Sequence, residues 1–307
     1  MDVKARETGS ISWKFENSKT IINEFLGRLV VLFKLRVVVL LLLSSVGGAL
    51  IASNGRLSIG QILLLVITGV LSSGGASAIN QFLERNSDGL MKRTSKRPLA
   101  MGVFSRPQTT LEVSIVMVIL SVMIALPYSI PLAFFLAAGA AIYVGVYTVW
   151  LKPRTMLNIV IGGAAGSCAV LCGGAVAGNW AEPGVLALAL LVFAWTPTHF
   201  WSLAQAYRDD YANANVPMLP VVLSPRASAI WIALHTFVVA LISLLLSYHT
   251  GFGVPYLVIT IPATLWLGWH SYRLVAVPEH KQALKLFKVS NIYLGLVLIA
   301  IYFVTLF

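Results

Sequence analysis

Residues 58–88 read SIGQILLLVITGVLSSGGASAINQFLERNSD. The first part, 58–83, carries no charged side chain. It exceeds the about 20 residues that a helix needs to cross the hydrocarbon core of a bilayer. The run is continuously apolar rather than alternating, which points to a helix and not to a barrel strand. Its end, Asn80-Gln-Phe-Leu-Glu84-Arg-Asn-Ser-Asp88, then sets three oxygen-bearing side chains at intervals of four. On a helix that spacing stacks them on one face.

The rest of the chain repeats the apolar signature. Of 307 residues, 58% are hydrophobic and 11% charged, and the mean hydropathy is +0.85. A soluble domain carries about 25% charged residues. Nine apolar runs can be read, roughly 36–53, 58–83, 108–127, 130–151, 156–178, 184–205, 227–248, 252–272 and 283–306. The expected fold class is all-α: a polytopic membrane helix bundle of about nine transmembrane helices. Residues 1–35 form the expected cytoplasmic, interfacial N-terminal segment, and 36–307 a single transmembrane domain. In the first of these, Trp13, Phe15, Ile21, Ile22, Phe25 and Leu26 lie among Lys and Glu, as an interfacial helix requires. No cleavable signal peptide is expected, since no apolar core closely follows the first charges.

Charge placement sets the direction. With the N-terminus in the cytoplasm, every Lys and Arg except Arg56 falls in a cytoplasmic segment. Lys/Arg bias in short connections orients membrane proteins, so the active-site loops are expected in the cytoplasm and the C-terminus outside. The expected location is a prokaryotic plasma membrane. The net charge of +11 is then a property of one face and gives no support to nucleic-acid binding.

Only 11 acids serve the chain, and four stand where apolar spans end: Glu84, Asp88, Asp209 and Asp210. Acids at a membrane boundary are costly and are by default a functional hypothesis. Asn80, Glu84 and Asp88 are hard oxygen donors that suit Mg²⁺, the expected cofactor. A capped polar helix end is the bland alternative. The loop that follows, Gly89-Leu-Met91-Lys92-Arg93-Thr94-Ser-Lys96-Arg97-Pro98-Leu99, interleaves bases with these acids. Lys and Arg bind phosphate, and Mg²⁺ commonly sits between carboxylates and substrate phosphates. Two further stretches fall on the same face, Lys152-Pro-Arg154-Thr155 and Arg208-Asp209-Asp210-Tyr211. The combination suits departure of a diphosphate from an allylic carbon inside a water-excluding apolar pocket.

Asn-xxx-Glu-xxx-Asp-xx-Met-xx-Thr-xx-Arg-Pro-Leu over 80–99 resembles the first motif of the UbiA-type membrane prenyltransferases. Three more stretches are similar to the protoheme-farnesylating branch of that family: Tyr143 to Gly163, Trp195-Thr-Pro-Thr-His199-Phe-Trp201, and Asp210-Tyr211 through Pro217-Met218-Leu219-Pro220. The resemblance implies the UbiA-type fold and transfer of a farnesyl group from farnesyl diphosphate to a vinyl group of protoheme IX, giving heme O and diphosphate. It implies Asn80, Glu84, Asp88, Asp209 and Asp210 as metal ligands. Lys92, Arg93, Arg97, Lys152, Arg154 and Arg208 would hold the diphosphate, and Tyr147 would steady the allylic cation or the diphosphate. The implied partners are the two substrates, the lipid bilayer, and a heme A synthase or terminal oxidase assembly. Glu84 departs from the more common Asp, Thr198 from a second Pro, and Asn215 from Gly.

His199, between Trp195 and Trp201, has two readings: a packing histidine, or a heme ligand with the two tryptophans around it. Cys168 and Cys172 share a helix face in a Gly/Ala-rich span and are expected to be structural thiols. Another prenyl acceptor, a quinone precursor or chlorophyll-like ring, remains an alternative. A transporter is the alternative from a different class, disfavoured because the charges gather at one face rather than at midplane.

Overall fold

The computed structural model describes residues 23–249 and 251–307. Most of the expected interfacial segment therefore lies outside the described residues, with a helix over 23–32 as its last part. Nine long helices follow: α1 (Leu35–Ser53), α2 (Ile59–Leu90), α3 (Pro107–Ala125), α4 (Ile130–Leu151), α5 (Asn158–Val176), α6 (Pro183–Ala206), α7 (Pro225–Leu246), α8 (Gly253–Ala276) and α9 (His280–Leu306). Two short helices, Arg208–Asn213 and Leu219–Val222, join α6 to α7. Among the described residues, eight of the nine are long and apolar enough to cross a membrane. The exception is α8, where Trp266, Trp269, His270, Tyr272 and Arg273 lower the hydropathy of a helix as long as α6.

Helix starts follow local chemistry. Ser58 and Gln61 form a reciprocal capping box at α2, with Gln61 N donating to Ser58 Oγ at 3.2 Å and Ser58 N to Gln61 Oε1 at 2.9 Å. Glu182 and Ser224 cap α6 and α7, each followed by Pro in the first helical position. The α2 helix runs seven residues past its apolar stretch, so Glu84 and Asp88 remain helical and keep the shared face of Asn80.

Small residues let helices touch backbone to backbone, as the Gly/Ala-rich span anticipates. A Cβ on Gly173 of α5 would lie 1.7 Å from the carbonyl oxygen of Ser45 on α1. Ser45 Oγ in turn donates to Ala169 O at 2.6 Å across the same contact. Cys168 and Cys172 are buried free thiols in this helix. The central helix is α6, packed on α5, α7 and α9.

Candidate active site

The second half of α4, Ile142–Leu151, winds as a π-helix. Such wider turns are frequent at functional sites. Here the turn brings Tyr143, Tyr147 and Thr148 onto α2. Tyr143 and Tyr147 stack with ring centroids 5.9 Å apart. Thr148 Oγ1 donates to Tyr143 O at 2.8 Å and accepts from Asn80 Nδ2 at 3.0 Å. The Asn80 amide is thereby oriented, with its nitrogen on Thr148 and its oxygen left for another donor.

Each oxygen-bearing side chain on the α2 face meets at least one basic side chain. Lys34, at the entry to α1, donates to Asn80 Oδ1 at 2.7 Å and to Tyr143 OH at 2.8 Å. Lys152 donates to Glu84 Oε1 at 2.5 Å. Arg97 donates to Asp88 Oδ2 at 2.6 Å and lies 3.9 Å from Glu84 Oε2. Asn80, Glu84 and Asp88 are all buried. Burial pushes the Lys34 ammonium down to about 7, with Arg97 adding to the fall and Glu84 opposing it. For Arg97, burial is the largest single influence and works downward, but the Asp88 and Glu84 carboxylates together hold the guanidinium above its usual value. Charged hydrogen bonds this short between largely buried groups are the strong kind.

The loop after α2 reaches the second acidic stretch. Arg93 N donates to Asp210 Oδ2 at 3.1 Å, and the Arg93 guanidinium donates to Tyr211 OH at 3.1 Å. That guanidinium also lies over the Tyr207 and Tyr211 rings, 5.9 and 5.8 Å from their centroids. A cavity of about 310 Å³ opens between the elements, lined by Glu84, Ser87, Thr148, Lys152, Asn215 and Val216 among others. Asn215 has φ 54°, a left-handed conformation that favours Gly and that Asn tolerates best among the rest. The departure from Gly at this position is thus a permitted swap.

A face of acids and an amide, met by bases from three other segments, has the chemistry that suits an anion and its counter-cation. The UbiA prenyltransferase family pattern matches residues 41–292. The chain belongs to this family. Among curated relatives, it is 42% identical to a protoheme IX farnesyltransferase of Saccharolobus islandicus over 273 residues, covering 89% of this chain and 95% of that one. It is 39% identical to one of Metallosphaera sedula, covering 88% and 93%. Sulfurisphaera tokodaii has another, 37% identical over 90% of this chain and 92% of that one. Among solved structures, a study of digeranylgeranylglyceryl phosphate synthase superimposes with a TM-score of 0.76 at 19% identity, over 92% of this chain and 99% of that one. A UbiA homologue from Archaeoglobus fulgidus bound to DMAPP and Mg²⁺ gives 0.65 at 14%, over 89% and 99%. These likenesses establish a shared fold. The protein is an integral membrane prenyltransferase with an all-α bundle.

Not every expected site residue of this prenyltransferase joins the cluster. Arg154 is exposed, and its guanidinium donates to Val149 O and Trp150 O at the end of its own helix. It caps α4 and is removed from the diphosphate set. Lys92 and Asp209 are exposed, and Arg208 is half-buried. Among the described residues no three His, Cys, Asp or Glu side chains gather into one metal-sized group. The five-ligand set expected from the sequence is therefore not assembled here, because Asp210 is turned onto the Arg93 backbone and Asp209 faces outward. The α2 ligands still fit a hard cation. They are oxygen donors on one helix face, and Asp88 Oδ1 is buried with no hydrogen bond among the described residues.

On α6, Trp195 and His199 share a face, and Trp201 does not. The His199 ring lies between Trp195 and Phe287, with centroids 4.4 and 4.5 Å away. Its Nδ1 meets Ser290 Oγ at 2.9 Å, and that hydroxyl donates to Phe287 O at 2.8 Å. A histidine held through one nitrogen offers a ligand only the other. Heme ligation would therefore have to use Nε2. Trp201 is buried edge-on to His235 of α7, so it leaves the expected heme group.

Lys34, Tyr143, Thr148 and Tyr211 are the site residues that the motif reading missed. Lys34 stands immediately before the first apolar run and reads there as ordinary orienting charge. Tyr143 stands one helical turn before Tyr147 and carries a second phenol toward the same face, a signal the spacing did contain.

Proposed function

We propose that this prenyltransferase moves a farnesyl group from farnesyl diphosphate to a vinyl group of protoheme IX, giving heme O and diphosphate. The observation that carries the acceptor is the run of relatives named protoheme IX farnesyltransferase, 37–42% identical with both chains covered nearly end to end. The α2 face and its bases support the donor half. In the proposal Asn80, Glu84 and Asp88 hold Mg²⁺, with Asp210 completing the site from the second stretch. When bound there, the ion would neutralise charge on the leaving diphosphate.

Lys152, Arg97, Lys34 and Arg93 take the diphosphate oxygens as the allylic C1–O bond breaks and its electron pair leaves with the oxygen. The stacked rings of Tyr143 and Tyr147 present π faces on which the allylic cation is steadied. The vinyl π electrons form the new carbon–carbon bond to C1. Water then adds to the resulting heme-side cation and loses a proton, giving a hydroxyethylfarnesyl group. His199 is assigned to the heme side through Nε2, oriented by Ser290.

The bundle is assigned to a prokaryotic plasma membrane with these loops in the cytoplasm and the C-terminus outside, which supports delivery of heme O to a heme A synthase or terminal oxidase. The test is to incubate membranes holding the protein with heme, farnesyl diphosphate and Mg²⁺, and to identify the heme product by mass. Prenylation of a quinone precursor or a chlorophyll-like ring with no heme O would transfer the site to that acceptor. Solute flux without diphosphate release would overturn the enzyme reading altogether.

A further inference from the structure

Lys34 is placed by its backbone as much as by its side chain. Its φ is 49°, a left-handed conformation that costs an L-residue roughly 1–2 kcal/mol. Such outliers persist where the surroundings over-determine them, and they gather at functional sites. Here the chain turns between the helix over 23–32 and α1. Lys34 N bonds Val31 O at 3.3 Å, while Val37 N and Val38 N bond Lys34 O at 2.8 and 3.1 Å. The turn aims the side chain across the bundle at α2, where it ends between Asn80 Oδ1 and Tyr143 OH.

The Asn80 amide cannot simply flip away from this contact. Its nitrogen is spent on Thr148, and Thr148 is spent on Tyr143 O. Its oxygen, the atom a metal would need, is given to Lys34. Lys152 and Arg97 hold one oxygen each of Glu84 and Asp88 in the same way. Asp88 Oδ1 is the one carboxylate oxygen of the three ligands that is buried without a partner among the described residues. A cation entering alone finds Asp88 Oδ1 and Glu84 Oε2 without a hydrogen bond among the described residues, but to reach the Asn80 oxygen it must displace Lys34 without offering it another acceptor. A diphosphate brings many oxygen acceptors, onto which Lys34, Lys152 and Arg97 can all transfer.

We propose that Lys34 is a built-in competitor for the metal: it holds the Asn80 oxygen until diphosphate supplies replacement acceptors, so metal binding is conditional on diphosphate. The inference rests on the reading of this face as a metal–diphosphate site. It does not depend on the charge of Lys34, because an amine donates to Asn80 in either protonation state. By linkage, the metal strengthens diphosphate binding by the same factor as diphosphate strengthens metal binding, typically about 5–150-fold for coupled sites. The competitor also disfavours idle occupation by other divalent cations, which bind nitrogen- and oxygen-rich sites readily.

The full-length protein in nanodiscs at fixed pH is titrated with Mn²⁺ alone, followed by electron paramagnetic resonance. In parallel, binding of a labelled, unreactive farnesyl thiolodiphosphate is measured with and without Mn²⁺. In the wild type, Mn²⁺ alone binds weakly and strengthens thiolodiphosphate binding at least about tenfold. Lys34→Met binds Mn²⁺ alone at least about tenfold more tightly, and its coupling shrinks to match. Lys34→Arg retains the wild-type pattern, because it retains the donor. Should Lys34→Met not fold, Lys34→Leu, which also lacks a donor, gives the same reading. Mn²⁺ affinity unchanged in Lys34→Met or Lys34→Leu overturns the competitor role while leaving the site reading intact. Failure of Mn²⁺ to affect thiolodiphosphate binding in the wild type overturns the site reading, and the competitor with it.

Discussion

Asp88→Asn removes one negative charge from the inner face of α2 while leaving its volume nearly unchanged. Asp88 is 1% exposed, and its Oδ2 takes a 2.6 Å bond from Arg97. Breaking one partner from a buried ion pair costs about 3–5 kcal/mol, because the other charge is left uncompensated. Arg97 keeps 16% exposure and a second carboxylate 3.9 Å away at Glu84, so the loss falls at the low end, about 3 kcal/mol. This appears as a lowered thermal unfolding midpoint in detergent. Turnover falls further and separately. Loss of one well-placed group that stabilises developing charge costs roughly 3–4 kcal/mol in the transition state, or about 10²–10³ in rate. The double variant Asp88→Asn/Arg97→Gln distinguishes the two effects, since it removes the orphaned cation. It should regain much of the stability and none of the turnover, followed as heme product by mass. Recovery of turnover in the double variant would refute the ligand role, because Asp88 would then act only by holding Arg97. Near-normal turnover in the single variant would return α2 to a capped polar helix end.

Four further outcomes are expected. Chelator abolishes activity and either Mg²⁺ or Mn²⁺ restores it, as hard oxygen ligands require; full activity in excess chelator excludes the metal. His199→Ala weakens the heme Soret band with little change in farnesyl diphosphate affinity, and Asp210→Ala does the reverse; normal heme binding in His199→Ala makes this a packing histidine. Gly173→Ala drives a methyl to within 1.7 Å of Ser45 O, so α1 and α5 must separate; such overpacking costs about 1–3 kcal/mol or more and lowers the yield of folded protein, whereas Gly89→Ala, with nothing within 4 Å, serves as the neutral control. Reporter fusions after residues 100, 153 and 215 read cytoplasmic, and those after 55, 128 and 180 read outside; an external signal after 215 separates the two acidic stretches and breaks the shared site.

The sequence by itself determined the bundle, the nine long helices of the described residues and the polar face of α2. Each of these is a local property. A bilayer demands a continuous apolar run about 20 residues long, and a spacing of four stacks side chains on a helix wherever that helix sits. Ser58 with Gln61, and Glu182 and Ser224 before proline, marked helix starts by the same local logic. Even Asn215 could be read as an oddity, though its left-handed backbone supplied the reason.

Only the tertiary structure decided which charges meet. Lys34, Lys152 and Arg97 lie 46, 68 and 9 residues from the groups they pair with on α2, and nothing in a one-dimensional pattern selects them over Arg154 or Lys92. Arg154 curls back onto the carbonyls of its own helix end, a contact that competes with the site and wins because it is local. The π-helical turn of α4 rotates Tyr143 and Thr148 inward, and no residue preference forecasts that register shift. Trp195 and Trp201 flank His199 in sequence yet part company in space, since a separation of six residues on a helix turns the second toward α7 while α9 covers the first. Long-range pairing in a membrane bundle depends on how helices cross and on which side chains reach between them, and that information exists only once the helices are packed.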